Sequence, residues 1–190
     1  MTSSAHVDTF ARDHLPPHGE WPDFVFTLPE LRYPDVLNCA TELLDRAVER
    51  GWGARRAIVA PGGTRWTYAD LTAHANRVAH VLVEDMGLVP GNRVLLRGPN
   101  SPWMAACWFA IVKAGGIVVA TMPLLRAKEL TDVVTKARIS HALCDARLAD
   151  ELDRERHLGF VQHPPAGVVG VAVPAADGPR GSGSRPAPRG

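Results

Sequence analysis

The chain has 190 residues, enough for one domain of ordinary size. With 46% hydrophobic and 22% charged residues it has the balance of a globular protein, not of a disordered one. Its formal net charge of +1 comes from 21 basic and 20 acidic residues with no block of one sign, which excludes a surface built for nucleic acid or an anionic membrane.

Residues 1–35 read as a polar lead-in, broken repeatedly by Pro16-Pro17, Pro22, Pro29 and Pro34. They contain no apolar leader segment. The three cysteines, Cys39, Cys107 and Cys144, form no CxxC pair, and both observations suit a reducing, cytoplasmic setting. A helix is predicted over 37–50, with Leu37, Ala40, Leu44 and Ala47 on one face and Gly51 just past its end. Residues 56–61 and 65–68 read as two short strands turning at Gly62-Gly63. Thr67 is placed to cap a helix from Tyr68 with the buried stripe Leu71, Ala75, Val78 and Leu82, ending before Gly87.

From Arg93 the pattern alternates regularly. Strand 93–97 leads to Ser101-Pro102, an N-cap followed by proline at the first helical position. The helix from Pro102 to Ala114 is apolar nearly all round and is expected to be buried on every side. A hydropathy window over 102–125 mimics a membrane span, but Lys113, Gly115-Gly116 and the β-branched run from Ile117 argue for a helix, a turn and a strand. Strand 117–121, helix 126–138, strand 141–145 and helix 146–156 follow. Strands this apolar, alternating with helices, imply an α/β fold with a parallel sheet buried on both faces. Residues 157–190 are set apart by proline and glycine without apolar periodicity. They are expected to be disordered, and an out-of-frame origin would explain the break in composition.

Common chemical signatures are missing. Neither GxxxxGK[ST] nor GxGxxG occurs. His14 and His18 are separated by a proline pair, and His74 and His80 point to different faces of one helix, so no metal set is expected. Cys107 sits among apolar neighbours and reads as a core thiol, and Asp145 as a helix cap. No catalytic residue is assigned.

Three segments carry a resemblance. Trp66-Thr-Tyr-Ala-Asp-Leu71, Gly91-Asn-Arg-Val-Leu-Leu-Arg-Gly-Pro-Asn-Ser101 and Phe109-Ala-Ile-Val-Lys-Ala-Gly-Gly-Ile-Val-Val119 resemble, in order and spacing, the N-terminal region of the adenylate-forming (acyl-CoA synthetase, AMP-binding) superfamily. Thr121-Met-Pro-Leu-Leu-Arg-Ala-Lys-Glu-Leu130, Phe10–Pro17 and Tyr33–Ala40 are similar to its benzoate– and 2-aminobenzoate–CoA ligase branch. The resemblance implies an incomplete adenylation subdomain over 36–156. It also implies a parent reaction that joins an aromatic carboxylate to CoA through an acyl-adenylate, with MgATP as the energy source. The family's Ser/Thr/Gly-rich loop ending in lysine, its Thr-Glu pair, its ribose-binding Asp and its C-terminal lysine have no counterpart here, so the chain is expected to be truncated and inactive alone. The resemblance also leaves apolar surface uncovered, with self-association as the consequence. Arg126, just after the strand ending at Thr121, is the candidate contact for a CoA phosphate, against the reading that it is simply a solvated helix-start charge. The alternative function is a non-catalytic α/β module that associates with a separately encoded remainder of the ligase.

Overall fold

The computed structural model describes residues 4–155 and 169–173. A single turn α1 (Phe10–Asp13) is followed by an extended stretch and by a wide-turned helical segment built from Thr41–Asp45 and Val48–Trp52. Strands β1 (Arg56–Val59) and β2 (Arg65–Thr67) form an antiparallel hairpin. Then come α2 (Tyr68–His80), β3 (Arg93–Arg97), α3 (Pro102–Lys113), β4 (Ile117–Thr121), α4 (Ala127–Ala137), β5 (His141–Asp145), α5 (Ala149–Glu155) and β6 (Val169–Val173). β3 to β6 form one sheet in the order β4-β3-β5-β6, every pair parallel.

Local chemistry sets the helix starts. The Thr67 hydroxyl accepts from Asp70 N at 3.1 Å while the Asp70 carboxylate accepts from Thr67 N at 2.9 Å, a reciprocal cap. The Ser101 hydroxyl accepts from Met104 N at 3.1 Å with Pro102 at the first helical position.

Alternation along β3 sorts the core into two layers. Val94 and Leu96 pack with Leu82, Cys107, Ala110, Ile111 and Leu143 under α2 and α3. Leu95 packs with Leu130, Ile139, Ala142, Cys144 and Leu152 under α4 and α5. A third cluster of Leu44, Leu71, Ala75 and Ala106 ties the wide-turned segment to α2 and α3. Gly116 is needed where α3 turns into β4, because a Cβ there would lie 2.9 Å from Ile111 Cγ2.

Four expectations change. The first helix does not begin at Leu37, which is exposed. Asn38 precedes it and its Oδ1 accepts from Ala40 N and Thr41 N at 3.0 and 3.3 Å. α3 is not buried all round: Ala106, Cys107, Ala110 and Ile111 are buried, whereas Trp108 reaches the surface. β4 is an edge strand, only partly covered, while β3 and β5 are buried along their length. Within the expected disordered tail, Val169–Val173 pairs with His141–Asp145 as a fourth strand, which its alternating valines favour. The rest of the tail, 156–168 and 174–190, lies outside the described residues.

The lead-in is also anchored. Val7 N and Asp8 N donate to Pro90 O at 2.9 and 3.0 Å, and the Asp8 carboxylate accepts from Asn92 Nδ2 and from the Arg93 guanidinium. Gly91, at φ +93°, leaves the room: a Cβ would sit 2.1 Å from Asp8 O.

Candidate functional site

The connection after β3 leads to α3 on one face of the sheet, and the connection after β4 leads to α4 on the other. Two adjacent parallel strands whose loops part in this way open a crevice beyond their carboxyl ends, where ligands of open α/β sheets bind. Two recesses lie there. One, of ≈ 350 Å³, runs over β3 and β4 and is lined by Leu96, Asn100, Met104, Trp108 and Ala120. The other, of ≈ 30 Å³, lies between β3, β5 and α3 beside Arg97, Gly98, Trp103, Met104 and Asp145.

Arg97, the last residue of β3, is 1% exposed. Its Nη1 donates to Met122 O at 2.9 Å, and its Nη2 to Pro123 O and Leu125 O at 2.9 and 2.7 Å. Among the described residues no carboxylate pairs with it, so three carbonyl dipoles carry the compensation that a buried charge requires. Its Nε, and the Oγ1 of its register partner Thr121, are buried without a hydrogen-bond partner among the described residues. The sequence reading passed over Arg97. The available signal was a charged residue closing the apolar run Val94–Leu96, with two covering helices to follow.

Asp145 closes β5 and caps the turn Ala146–Leu148, accepting from Arg147 N at 2.9 Å, the role expected for it. The Arg147 guanidinium bonds both carboxylate oxygens, at 2.9 and 2.8 Å, and holds the carboxyl below its usual range. Arg126 stands at the start of α4 with its side chain 78% exposed. Its Nη1 pairs with Glu151 at 3.0 Å, and Glu151 also accepts from Ala127 N at 3.1 Å. The Arg126 charge is therefore at the surface near the crevice loop, but partnered.

Cys107 is buried, and burial pushes its thiol up to about 11, which makes it a core residue and not a nucleophile. Among the described residues no three of His, Cys, Asp and Glu gather as a metal set. His14 Nδ1 meets Phe10 O at 2.7 Å. His74 stacks on Trp66 at 4.2 Å and meets the edge of Trp103 at 4.6 Å.

The architecture can be matched to known proteins. The sequence pattern described as "AMP-binding enzyme" covers residues 44–185. The chain belongs to the AMP-binding enzyme family. The salicyl-AMP ligase / salicyl-S-ArCP synthetase of Mycobacterium tuberculosis is 40% identical over 94 residues, 47% of this chain and 16% of that protein. A feruloyl-CoA synthase of Amycolatopsis is 32% identical over 133 residues, 66% of this chain and 25% of that protein. The structure of ATP-bound MatB from Rhodopseudomonas palustris superposes with a TM-score of 0.59 at 28% identity, over 71% of this chain and 25% of that one. The chain thus spans a quarter or less of each. Its α/β sheet with flanking helices is the N-terminal part of the family's fold. The chain also has no helix, among the described residues, long and apolar enough to cross a membrane.

Proposed function

We propose that residues 36–156 form the N-terminal portion of the adenylation domain of an aryl acid–CoA ligase. The observation that carries this reading is the run of three family motifs falling on one continuous unit: Trp66–Leu71 starts α2, Gly91–Ser101 forms β3 and the α3 cap, and Phe109–Val119 forms the end of α3, the glycine turn and β4. Two relatives named for aromatic acids, salicyl and feruloyl, support the aryl class. The 121–130, 10–17 and 33–40 segments support benzoate or 2-aminobenzoate within it.

In the parent reaction a carboxylate oxygen attacks the α-phosphorus of MgATP and pyrophosphate leaves. The CoA thiolate then attacks the acyl carbon and AMP leaves. The residues present do not fit the first step. Its demand is a cluster of donors and cations around the phosphates, and the sequence has no Ser/Thr/Gly-rich loop ending in lysine to supply them. No phosphoryl-transfer step is assigned to this chain. What it offers lies on the CoA side: Arg126, exposed at the start of α4, contacts a CoA phosphate after exchanging its partner Glu151 for the ligand.

A transplant tests the reading. Residues 36–156 replace the matching segment of an active aryl–CoA ligase, and aryl-CoA formation is followed. Retained product formation supports the assignment. A folded transplant without product contradicts it.

A further inference from the structure

We propose that Arg97 is a positioning residue for CoA recognition, acting through the loop 122–125 that presents Arg126. This rests on the proposed Arg126 contact and goes beyond it in naming what holds that contact in place.

β3 is an inner strand, and its two ends carry two buried arginines. Arg93 at the amino end has a carboxylate partner, Asp8. Arg97 at the carboxyl end has none among the described residues and spends its fork on the carbonyls of Met122, Pro123 and Leu125. These belong to the segment that leaves β4 at Thr121 and enters α4 after Arg126. Of that loop's side chains Leu125 packs against the core under α4, whereas Met122 and Leu124 are 62% and 79% exposed and leave the first part of the loop without side-chain anchorage. The backbone is therefore fixed from below, by a guanidinium in the crevice between the diverging connections.

A planar fork bound at three points suits this task. Lysine offers one ammonium and cannot span the same carbonyls in one plane. The loop makes one turn of its own, with Leu125 N donating to Met122 O at 3.2 Å, and Arg97 seats that turn on the sheet, setting the height from which Arg126 projects. The Arg97 side chain also lines the smaller recess, and its Nε has no hydrogen-bond partner among the described residues. It gives that recess a further polar group that a bound molecule or water can engage.

The experiment uses the full chain with Arg97→Met, Arg97→Lys and Arg126→Gln. CoA and dephospho-CoA are titrated by calorimetry, and amide exchange is read at Met122, Leu124, Leu125 and Arg126 against the β5 amides. The expected result for Arg97→Met is faster exchange confined to the loop and CoA affinity reduced about tenfold, the scale of one lost charge-assisted contact. Arg97→Lys should fall between, and keeps the test open if methionine at this site prevents folding. Arg126→Gln should lower CoA affinity without loosening the loop. CoA affinity unchanged in either Arg97 variant would overturn the role of Arg97 alone. A wild-type chain silent to CoA would overturn the Arg126 contact and the positioning role together.

Discussion

The Asp8 carboxylate closes on the Arg93 guanidinium, joining the lead-in to the start of the inner strand β3 across 85 positions of sequence. Arg93 is 6% exposed and also donates to Gly91 O, Ala137 O and Arg138 O, so it ties the lead-in, β3 and the end of α4 at one point. The guanidinium groups of Arg93 and Arg138 both lie over the Phe10 ring, 4.8 and 4.6 Å from its centre. Burial raises the Asp8 pKa, but the bonds from Arg93, Phe10 N and Asn92 outweigh it and leave the carboxyl below its usual value. Asp8→Ala is expected to cost about 1.5–3 kcal/mol at neutral pH, since it strands a buried charge-assisted bond. A group with a depressed folded pKa stabilises above its unfolded pKa and loses that contribution as pH falls through the folded value. The difference from wild type in thermal unfolding should therefore shrink below about pH 4. Gly91→Ala should release the same segment by collision with Asp8 O. Equal unfolding of wild type and Asp8→Ala at pH 7 would contradict this.

The ring stack of Trp66, His74 and Trp103 joins the hairpin, α2 and α3. Desolvation lowers the His74 pKa from 6.5, Arg77 lowers it further, and Asp70 opposes them. Arg77 Nη2 donates to His74 Nδ1 at 2.6 Å, which requires a free lone pair on that nitrogen. The folded state therefore favours neutral imidazole. Stability from this residue is complete above about pH 6.5 and declines as pH drops below it. Wild type should exceed His74→Gln in stability at pH 7.5, with the margin narrowing toward pH 5. A margin independent of pH would refute the assignment.

Cys107, pushed up to about 11 and enclosed beneath α3, should resist alkylation at neutral pH until the chain unfolds. Cys39, only partly covered, should react first. Mass mapping of partially alkylated native protein checks this order, and early labelling of Cys107 would break it.

Residues 21–37 carry an exposed apolar surface. Trp21, Phe24, Phe26 and Tyr33 form a surface ladder with ring centres 6.3, 6.3 and 6.5 Å apart, flanked by exposed Val25 and Leu28. Such a patch promotes self-association. Sedimentation should show concentration-dependent oligomers, and a Phe24→Ser, Phe26→Ser double variant should weaken them at least about tenfold, since burying one large apolar side chain is worth about 1.5–3 kcal/mol. A wild-type monomer at every concentration would remove this patch from the account.

Much of the sheet was legible because its signals are local. β-branched runs, the Ser101-Pro102 start and the Thr67–Asp70 cap each act within four residues, and β3, β4 and β5 fall on 93–97, 117–121 and 141–145 as read. What stayed hidden depends on partners far apart in sequence. The covering of β4, the docking of Asp8 on Arg93 and the grip of Arg97 on residues 122–125 follow from strand order and side-chain direction. The strand Val169–Val173 was missed because composition over the whole tail outweighed five residues within it. Of the candidate site, Asp145 and Arg126 could be read as helix-start residues, whereas a guanidinium serving carbonyls leaves no motif.

The proposed assignment gives residues 36–156 the scaffold of a ligase's adenylation domain without its phosphate chemistry. Acid-dependent ATP–pyrophosphate exchange tests it most directly, with the purified chain, MgATP, labelled pyrophosphate and either 2-aminobenzoate or benzoate. No exchange above a control lacking the acid is expected. Exchange clearly above that control, with either acid, would contradict it.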